Sequence, residues 1–249
     1  MSALEVEHVS KRFGSLQAVR DVSLAVEQGA LHAVIGPNGA GKTTFFNMIS
    51  GFFPPTTGKI VFDGHDITGL PAHRRVAAGI ARTFQITEIF PELTVFENVR
   101  IGVEVAAGLR LRAWTNRAQA KQVREHIDDV LALTGLDAHE YRLVGELSHG
   151  EQRVVEVAMA LALRPRLLLL DEPAAGMGDQ ETEAITQLIS RLHEDSRLTI
   201  VLIEHDMRVV FDLADRITVL DRGSVLAEGA PEAIAANEAV QAAYLGVAV

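Results

Sequence analysis

The stretch Gly36-Pro37-Asn38-Gly39-Ala40-Gly41-Lys42-Thr43-Thr44 satisfies the pattern G-x-x-x-x-G-K-[ST]. Its chemistry is phosphate binding. The glycines let the backbone curl until consecutive N–H groups face one anion, Lys42 neutralises the terminal oxygens, and the Thr43 hydroxyl can bind Mg2+. A second group of residues lies in "LLLLDEP". Asp171 falls at the carboxyl end of an apolar run, where ligands collect in open α/β sheets, and can hold Mg2+ directly or through water. Glu172 can polarise a water lying in line with a γ-phosphate. Taken alone, two adjacent acids at a strand end read as solvated surface; paired with a phosphate loop they read as a hydrolytic site. His205, in "VLIEHD", ends the next apolar run, where it either contacts the γ-phosphate and holds the attacking water or is simply a hydrogen-bonded loop residue. Gln85, in "ARTFQ", either offers its amide to the Mg2+ and water or is an ordinary polar surface group.

A further feature raises a question. In "GELSHGEQRVVE", Ser148 and Glu151 form an S-x-x-E capping box, so a helix begins there, and Gly150 lies in its first turn. The N–H groups of a first turn lack partners inside the helix and attract anions. The chain thus carries two phosphate-seeking helix ends.

Several elements must position these groups. "LEVEHVSKRF" and "AVRDVSLAVEQG" alternate as half-buried strands do, "LHAVIG" is a short strand feeding the phosphate loop, and "TTFFNMIS" is a helix ending near Gly51. "GKIVFDGHDI" reads as a hairpin turning at Asp63-Gly64. From about Glu97 to Thr134 the pattern is helical; in "TNRAQAKQVREHIDDVLALTG", Thr115 is the expected N-cap and Gly135 the stop. The capping-box helix should run to Pro165. "LLLLDEP" and "LTIVLIEHD" read as parallel strands covered on both faces, "ITVLDRGSVLAEG" as a hairpin, and "PEAIAANEAVQAAYL" as a terminal helix with Pro231 at its start. Strands alternating with helices, flanked by an antiparallel portion and a helical insertion, predict an α/β phosphate-loop core with two appendages.

Composition narrows the function. Across 249 residues the formal net charge is −10 and aromatics make up 5%, which argues against a broad nucleic-acid footprint. Cysteine is absent, so disulfide and thiolate chemistry are excluded. No apolar run is long enough to cross a bilayer, and the N-terminus lacks the apolar core of a signal peptide, so a cytoplasmic protein that works at a membrane only through a partner is expected.

The phosphate loop, Gln85, "LSHGEQ", "LLLLDEP", Asp179 and His205 occur in the order found in the ATP-binding cassette (ABC) family, which the chain resembles over essentially its whole length. The resemblance implies a single nucleotide-binding domain over 1–249. Approximately 1–90 and 165–249 would form the ATP-binding core, and approximately 91–164 a helical subdomain. It implies ATP hydrolysis with Mg2+ held by Thr43, Gln85 and Asp171, and catalysis by Glu172, His205 and Gln85. Phe13 would stack on adenine, although it also suits the core of the small sheet. The resemblance offers an answer to the second helix end: two chains face head to tail, and Ser148, Gly150 and Glu151 meet the γ-phosphate of the partner's ATP, with Asp179 at the same interface. Two departures stand out, His149 where the family has glycine and "AAGMGDQ" after Glu172.

"RTFQITEIFPELTVFENV", "GLRLRAWTNRAQ" and the tail "EGAPEAIAANEAVQAAYLG" resemble import subunits serving branched-chain amino acids and related small amides. That implies a second ATPase subunit of like or unlike sequence, transmembrane permeases, an extracytoplasmic solute-binding protein, and a location on the cytoplasmic face of the inner membrane. "FPELTVFENV" would receive the permease or form subdomain core, and basic residues beside Trp114 suit headgroups or a solvated helix end. Alternatives are an importer of another solute such as urea, an exporter subunit, a soluble ABC ATPase outside transport, or a regulatory nucleotide-binding module.

Overall fold

The computed structural model describes residues 2–83, 89–108, 117–196 and 198–245. The chain opens with antiparallel partners β1 (Ser2–Phe13) and β2 (Leu16–Glu27). Val22, Leu24 and Val26 point inward at alternate positions of β2. In β1 the alternation slips between Val6 and Val9, where His8 takes a left-handed φ of 51° and the register shifts in a bulge. The wholly buried β3 (Leu31–Ile35) feeds the phosphate loop and α1 (Lys42–Ser50), which Gly51 closes at φ 80°. Next, β4 (Thr57–Phe62) and β5 (His65–Asp66) form the expected hairpin. Asp63 at 46° and Gly64 at 76° supply the two left-handed residues a tight hairpin turn needs. Then come α2 (Ala72–Ala77) and β6 (Ile80–Arg82).

The helical portion holds α3 (Val95–Ala106), α4 (Arg117–Thr134) and α5 (His149–Leu161). Helix α3 starts earlier than the apolar pattern suggests. Thr94 accepts from the Glu97 N–H at 3.2 Å while the Glu97 carboxylate accepts from the Thr94 N–H at 2.8 Å, a second capping box. Gly135, at φ 72°, ends α4 as expected; Thr115 and Trp114 lie outside the described residues. Helix α5 stops at Leu161 rather than reaching Pro165, because Arg164 at φ 52° has already turned the chain.

The remainder alternates β7 (Leu167–Asp171), α6 (Asp179–Ser196), β8 (Thr199–Ile203), α7 (Met207–Leu213), β9 (Arg216–Asp221) and β10 (Ser224–Gly229). The expected single terminal helix is two, α8 (Pro231–Ala235) and α9 (Glu238–Leu245). The Asn237 side chain accepts from the N–H groups of Ala239 at 3.0 Å and Val240 at 3.2 Å, so it caps a new helix instead of continuing the old one.

Two sheets result. The small antiparallel sheet has the order β2-β1-β4-β5 and the large one β10-β9-β3-β8-β7-β6, parallel except for β10. The run of leucines in β7 follows from its place between two apolar layers. Leu168 and Leu170 pack on the side of α3, α4 and α5, whereas Leu167 and Leu169 pack on the side of α1 and the small sheet. Ile200 and Leu202 of β8 divide from Val201 and Ile203 in the same way. Burying each such side chain is worth about 1.5–3 kcal/mol, and a polar residue at any of these positions would forfeit it. The register pairs Val34 with Ile203, and Ile203 with Asp171, so β3, β8 and β7 end in one row. The three motif-bearing loops therefore leave the sheet side by side.

Candidate functional site

The phosphate loop is built around glycines that admit no side chain. A Cβ on Gly36 would lie 2.1 Å from the Leu220 carbonyl oxygen, and one on Gly41 would lie 2.5 Å from that of Ala18. Both have positive φ as well, so only glycine meets both conditions. Lys42 opens α1 and its ammonium is buried, donating to the carbonyls of Gly36 at 2.6 Å and Pro37 at 3.2 Å. Burial pushes its pKa down, and the nearby carboxylates of Glu172 and Asp171 oppose that. Asn38, Gly39, Ala40, Gly41, Lys42, Thr43 and Thr44 line a cleft of about 600 Å3 that Glu172 and His205 also line. The sequence-predicted loop, the second acid and the histidine are thus brought together.

Asp171 is fully buried at the end of β7. Its Oδ2 accepts from Arg82 at 2.7 Å, and Arg82 is anchored in turn on Asn47 Oδ1 at 2.6 Å and Ser50 Oγ at 2.9 Å. Burial raises the Asp171 pKa, and the Arg82 bond works against that rise. The other oxygen, Oδ1, has no hydrogen-bond partner among the described residues. An anionic oxygen left over in this way suits a hard cation. Glu172 has a left-handed φ of 51°, and its Oε1 lies 2.6 Å from His205 Nε2. A carboxylate and an imidazole in contact beside a phosphate loop can orient and polarise one water. Gln85 lies outside the described residues.

Sequence patterns did not single out Glu204. Its buried carboxylate accepts from the N–H groups of Ala174 at 2.9 Å, His205 at 2.7 Å and Asp206 at 3.4 Å, tying the loops after β7 and β8 together. The available signal was an acid directly behind a wholly apolar strand, since a buried carboxylate must find donors.

The capping box of α5 is formed: the Glu151 carboxylate accepts from the Ser148 N–H at 2.7 Å, and Ser148 Oγ accepts from the Glu151 N–H at 3.2 Å. The Ser148 N–H bond to the carboxylate holds the Glu151 pKa down. The first-turn N–H of Gly150 has no partner inside its own helix. It instead donates to Glu181 Oε1 at 3.2 Å, while Glu181 Oε2 accepts from Gly178 N–H at 3.3 Å. Ser148, Gly150, Glu151 and Asp179 do not line the phosphate-loop cleft. Asp179 is 91% exposed at the head of α6, with Arg208 at 3.5 Å. His149 is exposed, its Nε2 within 3.7 Å of a Cβ built on Gly176. Phe13 is 45% exposed and meets Phe53 edge to face at 5.4 Å, so it belongs only in part to a core.

Comparison with known proteins agrees with this geometry. The family model described as "ABC transporter" matches residues 19–175, and that of "Branched-chain amino acid ATP-binding cassette transporter" matches 224–249. The chain is 41% identical to the high-affinity branched-chain amino acid transport ATP-binding protein BraF of Pseudomonas aeruginosa, over 98% of this chain and 98% of that protein. The ADP conformation of an ATP-binding cassette of an ABC transporter superposes with a TM-score of 0.87 at 29% identity, covering 99% of this chain and 100% of that one. A dimeric cassette in a post-hydrolysis state, bound to ADP and Pi, gives 0.76 at 27% identity, covering 92% and 98%. A nucleotide-binding fold with its phosphate loop, acid pair and histidine on one row of strand ends, matched in this way from end to end, makes the chain a member of the ABC transporter family, in its branched-chain amino acid branch.

Proposed function

We propose that the chain hydrolyses ATP to power an importer of branched-chain amino acids or related small amides. The observation that carries this is the single cleft lined by the phosphate loop, Glu172 and His205. In it Lys42 and the loop N–H groups bind the triphosphate, Glu172 polarises the attacking water, and His205 holds that water against the γ-phosphate. Thr43 and the unpartnered oxygen of Asp171 would hold Mg2+, with Gln85 as a further ligand. When bound, the metal neutralises charge on the β- and γ-phosphates. The match at 224–249 and the name of BraF support the solute class.

The chain acts as one nucleotide-binding domain, with approximately 91–164 as its helical subdomain. Its α5 end serves a partner cassette: Ser148 and Gly150 lie away from the chain's own cleft, and a helix N-terminus favours an incoming phosphate. Phe13, 45% exposed, offers its ring to adenine. The permease seats on an apolar groove lined by Val76, Ile101, Val105, Met159 and Leu163. Within "FPELTVFENV", Val95 and Val99 are core and Phe90 is exposed. Among the described residues no helix is long and apolar enough to cross a membrane. The chain attaches to the cytoplasmic face through the permeases. An extracytoplasmic binding protein delivers solute to them.

A mild-detergent pull-down of the tagged chain from native membranes tests the transport reading. Multi-spanning permeases with a second cassette are expected; recovery with ribosomes or DNA-processing proteins alone would overturn transport and leave the ATP chemistry. Ser148→Arg tests the action across the interface. It puts bulk where the partner's γ-phosphate must sit, so turnover should fall roughly tenfold to hundredfold, as overpacking a tight site implies. ATP binding by the same chain should be unchanged. Parent turnover in that variant would remove the partner role from α5.

A further inference from the structure

Helix α5 carries a buried arginine that the hydrolytic chemistry above does not use. Arg153 stands one turn inside the helix, with its side chain 6% exposed. Its Nη2 donates to two carbonyls of the loop after β7, that of Asp171 at 2.9 Å and that of Glu172 at 2.8 Å, and its Nε donates to that of Pro173 at 3.3 Å. Its Nη1 donates to Glu156 Oε2 at 2.5 Å, an i, i+3 pair on the same helix that fixes the guanidinium plane.

Three consecutive carbonyls converge on one cation only if the chain curls, and the left-handed φ of 51° at Glu172 supplies the curl. A non-glycine residue there costs on the order of 1–2 kcal/mol and persists only where its surroundings hold it. The peptide is held from both sides. The Glu172 N–H donates to the Ile203 carbonyl at 2.9 Å, which ties it to the sheet, and Arg153 ties its carbonyl to α5. The same short helix therefore carries Ser148 and Gly150 at its mouth and, less than two turns on, the clamp on Glu172.

We infer that Arg153 is a positioning residue for Glu172, and that it passes the state of the α5 end to the carboxylate that polarises water. The inference rests on the assignment of that role to Glu172. When α5 shifts against the core, the guanidinium carries the Asp171–Pro173 carbonyls with it and re-aims the Glu172 side chain against His205. Hydrolysis is thereby licensed by engagement of α5 and not by occupancy of the phosphate loop alone.

The test uses the complex recovered with the tagged chain, comparing parent, Arg153→Lys and the double variant Arg153→Met with Glu156→Gln. Lysine keeps the cation beside Glu156 but lacks the planar fork for three carbonyls. The double variant removes both charges together, which spares the fold the cost of one buried charge left alone. In both variants kcat should fall roughly 10- to 100-fold, the loss expected from a slight misplacement of a catalytic group, with KM for ATP within about twofold of the parent. After gel filtration the variant complexes should retain ATP where the parent retains ADP, which a merely loosened fold would not produce. Parent kcat in both variants overturns the inference. So does a fall in kcat that comes with a matching rise in KM or without retained ATP. Glu172→Gln in the same assay separates the two levels. Parent turnover in that variant would remove the role given to Glu172, whereas its loss beside normal Arg153 variants would remove only the clamp.

Discussion

Glu172→Gln is expected to lower ATP turnover by at least about 100-fold, within the range that loss of a positioned general base produces, while ATP still binds. The carboxylate sits 2.6 Å from His205 Nε2 and shares the cleft with the phosphate loop, yet it makes no part of that loop's cradle. An amide of the same size keeps the packing and can still contact the histidine, but it cannot draw a proton from water. With binding and closure intact and cleavage lost, the ATP-bound closed assembly should accumulate. Phosphate release together with the nucleotide retained after gel filtration reads both effects. A variant that turns over at the parent rate would show that another group polarises the water, and Glu172 would then be only a strand-end acid.

Lys42→Ala should fail at the earlier step. Its ammonium is held inside the loop by the carbonyls of Gly36 and Pro37, at 2.6 and 3.2 Å, so it is already aimed at the centre of the phosphate cradle. Charge-assisted hydrogen bonds are roughly twice as strong as neutral ones, and losing one to two of them at the phosphates should weaken ATP binding roughly tenfold to hundredfold. Alanine is a good helix former at the start of α1 and leaves the loop glycines untouched, so the fold should survive. Equilibrium binding of ATP to the two variants gives the contrast. Affinity near the parent's is expected for Glu172→Gln and the roughly tenfold to hundredfold weakening for Lys42→Ala; equal affinity in both would contradict the division of labour between the loop and the acid.

The sequence disclosed those parts of the site whose chemistry is written in local spacing. A phosphate loop must have glycine where the backbone has no room, and Gly36 and Gly41 prove to be so confined. A capping box spans four residues, so Ser148 and Glu151 reveal a helix start with no knowledge of the fold. Buried parallel strands must be apolar on both faces, which is why "LLLLD" and "TIVLI" stood out. What sequence patterns missed are partners far apart along the chain: Arg82 with Asp171, 89 positions away, Glu204 with Ala174, 30 away, and Gly150 with Glu181, 31 away. In an amphipathic helix an arginine such as Arg153 reads as solvated face. Only the packing of α5 against the end of β7 turns it inward. The break at Asn237 was overlooked for a different reason, because asparagine is tolerated inside a helix as well as before one and the choice falls to its side-chain bonds.

The carboxylate of Glu181 on the Gly150 N–H has a consequence for an idle subunit. A helix mouth open to any passing anion would be titrated by the free phosphate and nucleotides of its surroundings. Here the seat has a tethered competitor, present at the high effective concentration that covalent attachment confers. A stray ion must displace it unaided. On the partner role proposed for α5, a phosphate delivered on the face of a docking protein would arrive with the rest of that surface to share the cost, and the helix end would discriminate by how an anion is presented rather than by its charge.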